Sequence, residues 1–111
     1  MDDIPRIDHL EARVLLDENS ALFVDIRDPM SHRESHIEGA FHLTMQSMDE
    51  FLKQTDRTAA IVVYCYHGNS SLGATDYLME QGFKNVRSLD GGFESFRALH
   101  PDCLKKQGSE T

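Results

Sequence analysis

The sequence predicts an α/β domain in which a mostly parallel sheet of about four to five strands is covered by helices on both faces. Three observations predict it. Apolar runs of strand length alternate along the chain with stretches of helical periodicity, the pattern of a layered α/β architecture. The clearest run, AIVVYC at 60–65, is apolar and β-branched almost throughout, as a central parallel strand buried on both sides requires. Capping residues or glycines punctuate several joints between these segments.

The elements follow in order. Asp8 and Glu11 have capping-box-like spacing ahead of Leu10, Val14 and Leu15, whose periodicity predicts a helix over about 8–17. ALFVDI at 21–26 reads as a buried strand, and PMSHRESH at 29–36 as a short helical turn. Ser47 and Glu50 repeat the capping signature before Met48, Phe51 and Leu52. After the strand ending at Cys65, a helix is expected from Ser70 or Ser71 to Gln81, with Leu72, Tyr77 and Leu78 facing inward and Gly82 as its stop. VRSL at 86–89 is a further strand. GGFESFRALHP at 91–101 is a last short helix, opened by two glycines that allow a tight turn and halted near Pro101.

With 111 residues, 40% of them hydrophobic, the expected organisation is one domain over 1–111 with a modest core and a polar tail over about 104–111. The segment MDDIPRIDHL shows neither the basic region nor the apolar run of a secretory signal, and Cys65 and Cys103 form no disulfide framework, so the expected setting is reducing and cytoplasmic. No apolar stretch is long enough for a membrane span. A net charge of −8, from 19 acidic and 11 basic residues, argues against nucleic acid and anionic lipid as partners. An anionic substrate would then be held by local groups such as backbone N–H dipoles.

The stretch CYHGNSS at 65–71 supplies such groups. Cys65 ends the best strand, and ligands collect beyond the carboxyl ends of parallel strands. Gly68 permits a backbone angle other residues resist, Asn69 tolerates the left-handed region, and Ser70 or Ser71 suits an N-cap. Successive N–H groups curling round the sulfur at a helix N-terminus stabilise negative charge and bring a thiol pKa to about 3.5–7.5 from about 8.5. A cysteine ending a strand can equally be core filler. His67 reads as a proton carrier or as a solvated loop residue. The cysteines and histidines lack the paired spacing of a metal site, so no metal is expected.

Three ordered segments resemble the rhodanese-like family. VDIRD at 24–28 with HIEGA at 36–40 resembles its N-terminal signature, VVYCYHGNSS at 62–71 its active-site loop, and GFKNVRSLDGGFESF at 82–96 its C-terminal signature. The resemblance spans about 7–101 and implies a single rhodanese-like domain, most similar in its loop to small single-domain thiosulfate sulfurtransferases. It implies that Cys65 is the nucleophile, holding a sulfane sulfur as a persulfide, and that Tyr66, His67, Gly68, Asn69 and Ser70 bind the substrate through their backbone N–H groups. It further implies thiosulfate as donor, cyanide or a dithiol such as reduced thioredoxin as acceptor, and no cofactor. Many relatives carry Arg where this chain has Ser70, and two-domain members carry basic residues where it has Tyr66 and His67.

Flanking residues read as scaffold. Asp25 and Arg27 are expected to form a buried charge pair that positions neighbouring loops, in preference to contacting substrate. His36 is expected to hydrogen-bond within the frame, and Cys103 has no assigned role. Two rivals stand beside sulfur transfer. One is a cysteine-dependent phosphatase or arsenate reductase, whose C-x5-R loop carries an Arg where this chain has Ser71. The other is a non-catalytic rhodanese-like binding or sensor module.

Overall fold

Buried β-branched residues make one strand the middle of the sheet, and the rest of the chain is arranged around it. The computed structural model describes residues 3–106. Its strands are β1 (Arg6–Ile7), β2 (Leu22–Asp25), β3 (His36–Ile37), β4 (Phe41–His42), β5 (Ala60–Tyr64), β6 (Asn85–Leu89) and β7 (Leu104–Lys105). Its helices are α1 (His9–Asp17), α2 (Pro29–Glu34), α3 (Met45–Gln54), α4 (Ser70–Glu80) and α5 (Gly92–Leu99), followed by a 3₁₀ turn over Pro101–Cys103. Five strands pair in the order β1-β6-β5-β2-β4, all parallel, with Val24 opposite Val63 and Asp25 opposite Tyr64. The expected α/β fold, with its mostly parallel sheet, is therefore present.

Side chains alternate along β5, so the sheet has two packed faces. Val62 and Tyr64 join Ala12 of α1 and Phe93 and Phe96 of α5 in one cluster. Ile61 and Val63 join Phe51 of α3 and Leu78 of α4 in the other. Helices thus cover both faces, and the carboxyl ends of β2 and β5 open at the same edge.

Three local expectations are corrected. Helix α3 starts a turn earlier than Ser47: Thr44 is its N-cap, accepting from the Ser47 N–H at 3.2 Å, while the Ser47 hydroxyl accepts from the Thr44 N–H at 2.8 Å. The two hydroxyls satisfy each other's free amides, so Ser47 occupies the third helical position and not the cap. Along α4, Leu78 is buried but Tyr77 is 40% exposed and Leu72 only half-buried; the inner face is Ser71, Thr75 and Leu78. Small polar residues there let the helix lie close on β5 and β6. Its end is as expected, with Gly82 and Phe83 N–H groups donating to the carbonyls of Met79 and Leu78.

The segment expected to begin a polar tail instead pairs. Leu104–Lys105 runs antiparallel to His36–Ile37, and the Glu38 N–H donates to the Cys103 carbonyl at 2.8 Å. Half-buried Leu104 packs against the first core cluster, which explains why the chain is held there. Residues 107–111 of the expected tail lie outside the described residues. Among the described residues no helix is long and apolar enough to cross a membrane.

Candidate active site

Cys65 is the first residue beyond β5, and its sulfur lies under the first turn of α4. The N–H groups of Gly68 and Ser71 each donate to Sγ at 3.2 Å, and the Ser71 hydroxyl oxygen is 3.3 Å from it. That hydroxyl donates to the sulfur once the thiol ionises. It is itself 2.7 Å from the hydroxyl of buried Ser88 on β6, which fixes its position. Burial pushes the Cys65 thiol up, but the Ser71 hydroxyl and N–H and the Gly68 and His67 N–H groups outweigh it, and the thiol sits below its ordinary value.

The expected side-chain cap at Ser70 or Ser71 does not form. Asn69 is the N-cap and its side chain makes no capping bond, because the amide of Ser71, at the second helical position, donates to sulfur. The Cys65 sulfur occupies the place a capping oxygen normally fills.

Two glycines give the loop its shape. Gly68 has φ +95°, and a Cβ there would come 3.1 Å from the Gly91 nitrogen and 3.3 Å from the Leu89 oxygen. At Gly92 a Cβ would lie 2.5 Å from the Tyr66 carbonyl oxygen, closer than real Cβ contacts allow. This approach lets the first amides of α5 hold the loop: Phe93 N–H donates to the Cys65 carbonyl at 2.8 Å and Glu94 N–H to that of Tyr66 at 3.0 Å. With these carbonyls turned toward α5, the Gly68 and Ser71 N–H groups face the sulfur.

Beneath the loop lies the expected charge pair. Asp25, fully buried, accepts from the Arg27 backbone N–H at 2.8 Å and from its guanidinium at 2.7 Å, and from the Tyr64 hydroxyl at 3.0 Å. Its carboxylate also bonds the His32 ring at 2.9 Å. Burial pushes the Asp25 carboxyl up, but the Arg27 guanidinium, His32 and the Arg27 N–H hold it below the usual carboxylate range. Arg27 also donates to the Ser35 carbonyl at 2.6 Å and lies 3.9 Å from the Phe93 ring centre, so its charge is fully engaged inside the frame.

Histidines scattered in sequence converge here. The rings of His36 and His42 stack on His32 at 4.0 and 4.5 Å, and they bond the carbonyls of His32 and Arg27. His36 is therefore the scaffold residue expected. Parallel rings do not aim their lone pairs at a common point, and among the described residues no group of three or more His, Cys, Asp or Glu could hold a metal.

A family model described as rhodanese-like domain matches residues 8–99. The chain belongs to the rhodanese-like family. It is 45% identical over 96 residues to the thiosulfate sulfurtransferase GlpE of two Coxiella burnetii strains, RSA 331 / Henzerling II and CbuG_Q212, covering 86% of this chain and 90% of each relative. Among solved structures, a rhodanese-like domain from Anabaena sp. superposes with a TM-score of 0.82 at 23% identity, covering 100% of this chain and 85% of that one, and shows the shared fold. A protein from Rhodopseudomonas palustris CGA009, described as a possible tyrosine phosphatase, superposes at 0.71 with 27% identity, covering 86% and 81%.

Within this rhodanese-like frame the five loop residues expected at the site divide. Gly68 meets the sulfur directly. Tyr66 turns its phenol away from the cradle to Asp28 and Ser31, with its oxygen 2.7 Å from the Ser31 hydroxyl, tying the loop to α2. The His67 N–H also helps to hold the thiol down, while the residue itself, like Asn69 and Ser70, is exposed on the rim. Ser71 was expected only as a cap, yet it contacts the sulfur through two groups. Its signal was its spacing: the sixth residue after Cys65 is the second of the helix, where an amide has no intrahelical partner. Cys103 is the opposite case, buried in the first core cluster, where burial pushes its thiol up.

If backbone dipoles activate Cys65, His67→Ala is expected to move the pH midpoint of Cys65 alkylation by less than about one unit, worth about 1.4 kcal/mol. Gly68→Val is expected to raise it further, because a β-branched residue resists positive φ. A large upward shift in His67→Ala with an unchanged midpoint in Gly68→Val would make a protonated imidazole the activating group.

Proposed function

We propose that this rhodanese-like protein is a thiosulfate sulfurtransferase working through a Cys65 persulfide. The observation that carries this is the ring of N–H and hydroxyl donors around a sulfur held below its ordinary pKa, in a chain 45% identical to curated enzymes of that name. The Cys65 thiolate attacks the outer sulfur of thiosulfate, a Cys–S bond forms, the sulfur–sulfur bond of the donor breaks, and sulfite leaves with the electron pair. The same N–H groups then balance the charge of the persulfide. An acceptor nucleophile attacks the outer sulfur and releases the thiolate, which makes the reaction a double displacement with ping-pong kinetics. Cyanide accepts the sulfur as thiocyanate. A cellular dithiol, with reduced thioredoxin as the working candidate, accepts it by forming a disulfide and releasing sulfide. No cofactor takes part in this scheme, and a reducing compartment such as the cytoplasm suits the free thiolate.

Intact mass tests it. Exposure to thiosulfate is expected to add one sulfur atom, and cyanide to remove it with release of thiocyanate. An unchanged mass would sink the proposal. The phosphatase reading is disfavoured at one position: Ser71 stands where C-x5-R enzymes place a guanidinium, and its hydroxyl is directed at the sulfur.

A further inference from the structure

We propose that the buried Ser88 hydroxyl donates to Ser71 and so commits the Ser71 proton to the Cys65 sulfur, which makes Ser88 a positioning residue for the thiolate. The inference deepens the sulfurtransferase reading and rests on it. Ser88 occupies a place that packing alone would give to an apolar side chain. It is 1% exposed on β6, opposite Val63 of β5 on one side and Arg6 of β1 on the other. Val86, two residues earlier and therefore on the same face of the sheet, belongs to the core cluster that includes Leu78 of α4. A hydroxyl carried from water into such a place costs free energy unless it is hydrogen-bonded. Among the described residues its one partner is the Ser71 hydroxyl, at 2.7 Å.

The direction of that bond follows from the protons available. Ser71 Oγ carries one proton and meets two atoms, Cys65 Sγ at 3.3 Å and Ser88 Oγ at 2.7 Å. If Ser71 donated to Ser88, the sulfur would lose a donor, and the Ser88 proton, with no second acceptor among the described residues, would be stranded in the core. If Ser88 donates to Ser71, both protons are bonded. The chain from Ser88 through Ser71 then ends on the atom that takes negative charge when Cys65 ionises.

An oxygen that accepts one hydrogen bond donates the next more strongly, so Ser88 strengthens the bond Ser71 makes to the thiolate. That bond matters: burial pushes the Cys65 thiol up, and the Ser71 hydroxyl is the strongest of the groups that bring it down. Ser88 is also well anchored, because its backbone N–H donates to the Pro5 carbonyl at 2.9 Å and its strand is paired on both sides. The hydroxyl chain stops there, inside the sheet, and gives the thiol proton no way out. Ser88 therefore orients a donor and does not relay a proton.

The test reads, on the full chain, the pH midpoint of iodoacetamide alkylation at the Cys65 peptide, together with single-turnover persulfide formation from thiosulfate over the same pH range. Ser88→Ala is expected to raise the midpoint by about 0.5 unit, a loss of about 3-fold in thiolate below it, and Ser71→Ala by about one unit or more. In the Ser71→Ala background Ser88→Ala is expected to move it by less than about 0.2 unit, because a residue that acts through Ser71 has nothing left to act on. An equal shift in both backgrounds overturns the proposal, since Ser88 would then act through packing. A midpoint that falls in Ser88→Ala also overturns it, by making Ser88 the acceptor that draws the Ser71 proton away from the sulfur. An unmoved midpoint, with persulfide formed as in the parent chain, removes the role of Ser88 alone. Absence of persulfide on the unaltered chain overturns the sulfurtransferase reading beneath it.

Discussion

Cys65→Ser gains no sulfur from thiosulfate and transfers none to cyanide, while its circular dichroism and unfolding midpoint stay close to those of the parent chain. The serine oxygen still accepts from the Gly68 and Ser71 N–H groups but does not ionise there. Cys65→Ala differs in kind: it leaves those amides without an acceptor, at a cost of about 1–3 kcal/mol for an unsatisfied buried group. Cys103→Ser keeps full activity, because Cys103 is packed in the first core cluster and the donors around the Cys65 sulfur come from Gly68 and Ser71. Retained transfer in Cys65→Ser with loss in Cys103→Ser would reverse the assignment.

Asp25→Ala destabilises the protein by about 3–5 kcal/mol, the cost of breaking a buried ion pair from one side. That is a large part of the roughly 5–15 kcal/mol total of an ordinary domain. The substitution strands the Arg27 guanidinium, the Tyr64 hydroxyl and the His32 ring in one dry volume. Denaturant unfolding at neutral pH measures it, and a loss under about 1 kcal/mol would show that water or Ser35 can replace the carboxylate. The pair also sets an acid limit. Since the Asp25 carboxyl is held below its ordinary value, its contribution is whole above about pH 3.9 and disappears as pH falls through the lower folded value. His32 acts earlier: burial lowers its pKa, so the unfolded chain takes up the proton first and stability declines as pH drops below about 6.5.

What could be read from the sequence was what neighbours in the chain decide. AIVVYC identifies β5 through its own side chains, and the Asp25–Arg27 pair spans only two residues at a strand end. The cap of α4 was illegible because its acceptor is a sulfur, an atom no capping rule anticipates. The stack of His32, His36 and His42 depends on β4 folding back beside β2, which no spacing encodes. Gly92 read correctly as a turn residue, but its close approach to Tyr66 arises between segments about 26 residues apart and appears only in three dimensions.

The pairing of β7 with β3 also sets an order in time. Ser35, whose carbonyl anchors Arg27, directly precedes β3, and β3 is paired by Leu104–Lys105 at the far end of the described chain. During synthesis the sheet and the cysteine loop emerge before the segment that closes this corner. The Cys65 loop is therefore made early and its foundation is locked late. Chains halted on the ribosome before residue 103 is free are expected to expose the Glu38 amide, which donates to the Cys103 carbonyl, to rapid hydrogen exchange, and protection of that amide at that stage would contradict this order. A growing chain would then reach its full sulfur-handling geometry only once Leu104 and Lys105 are free to pair with β3.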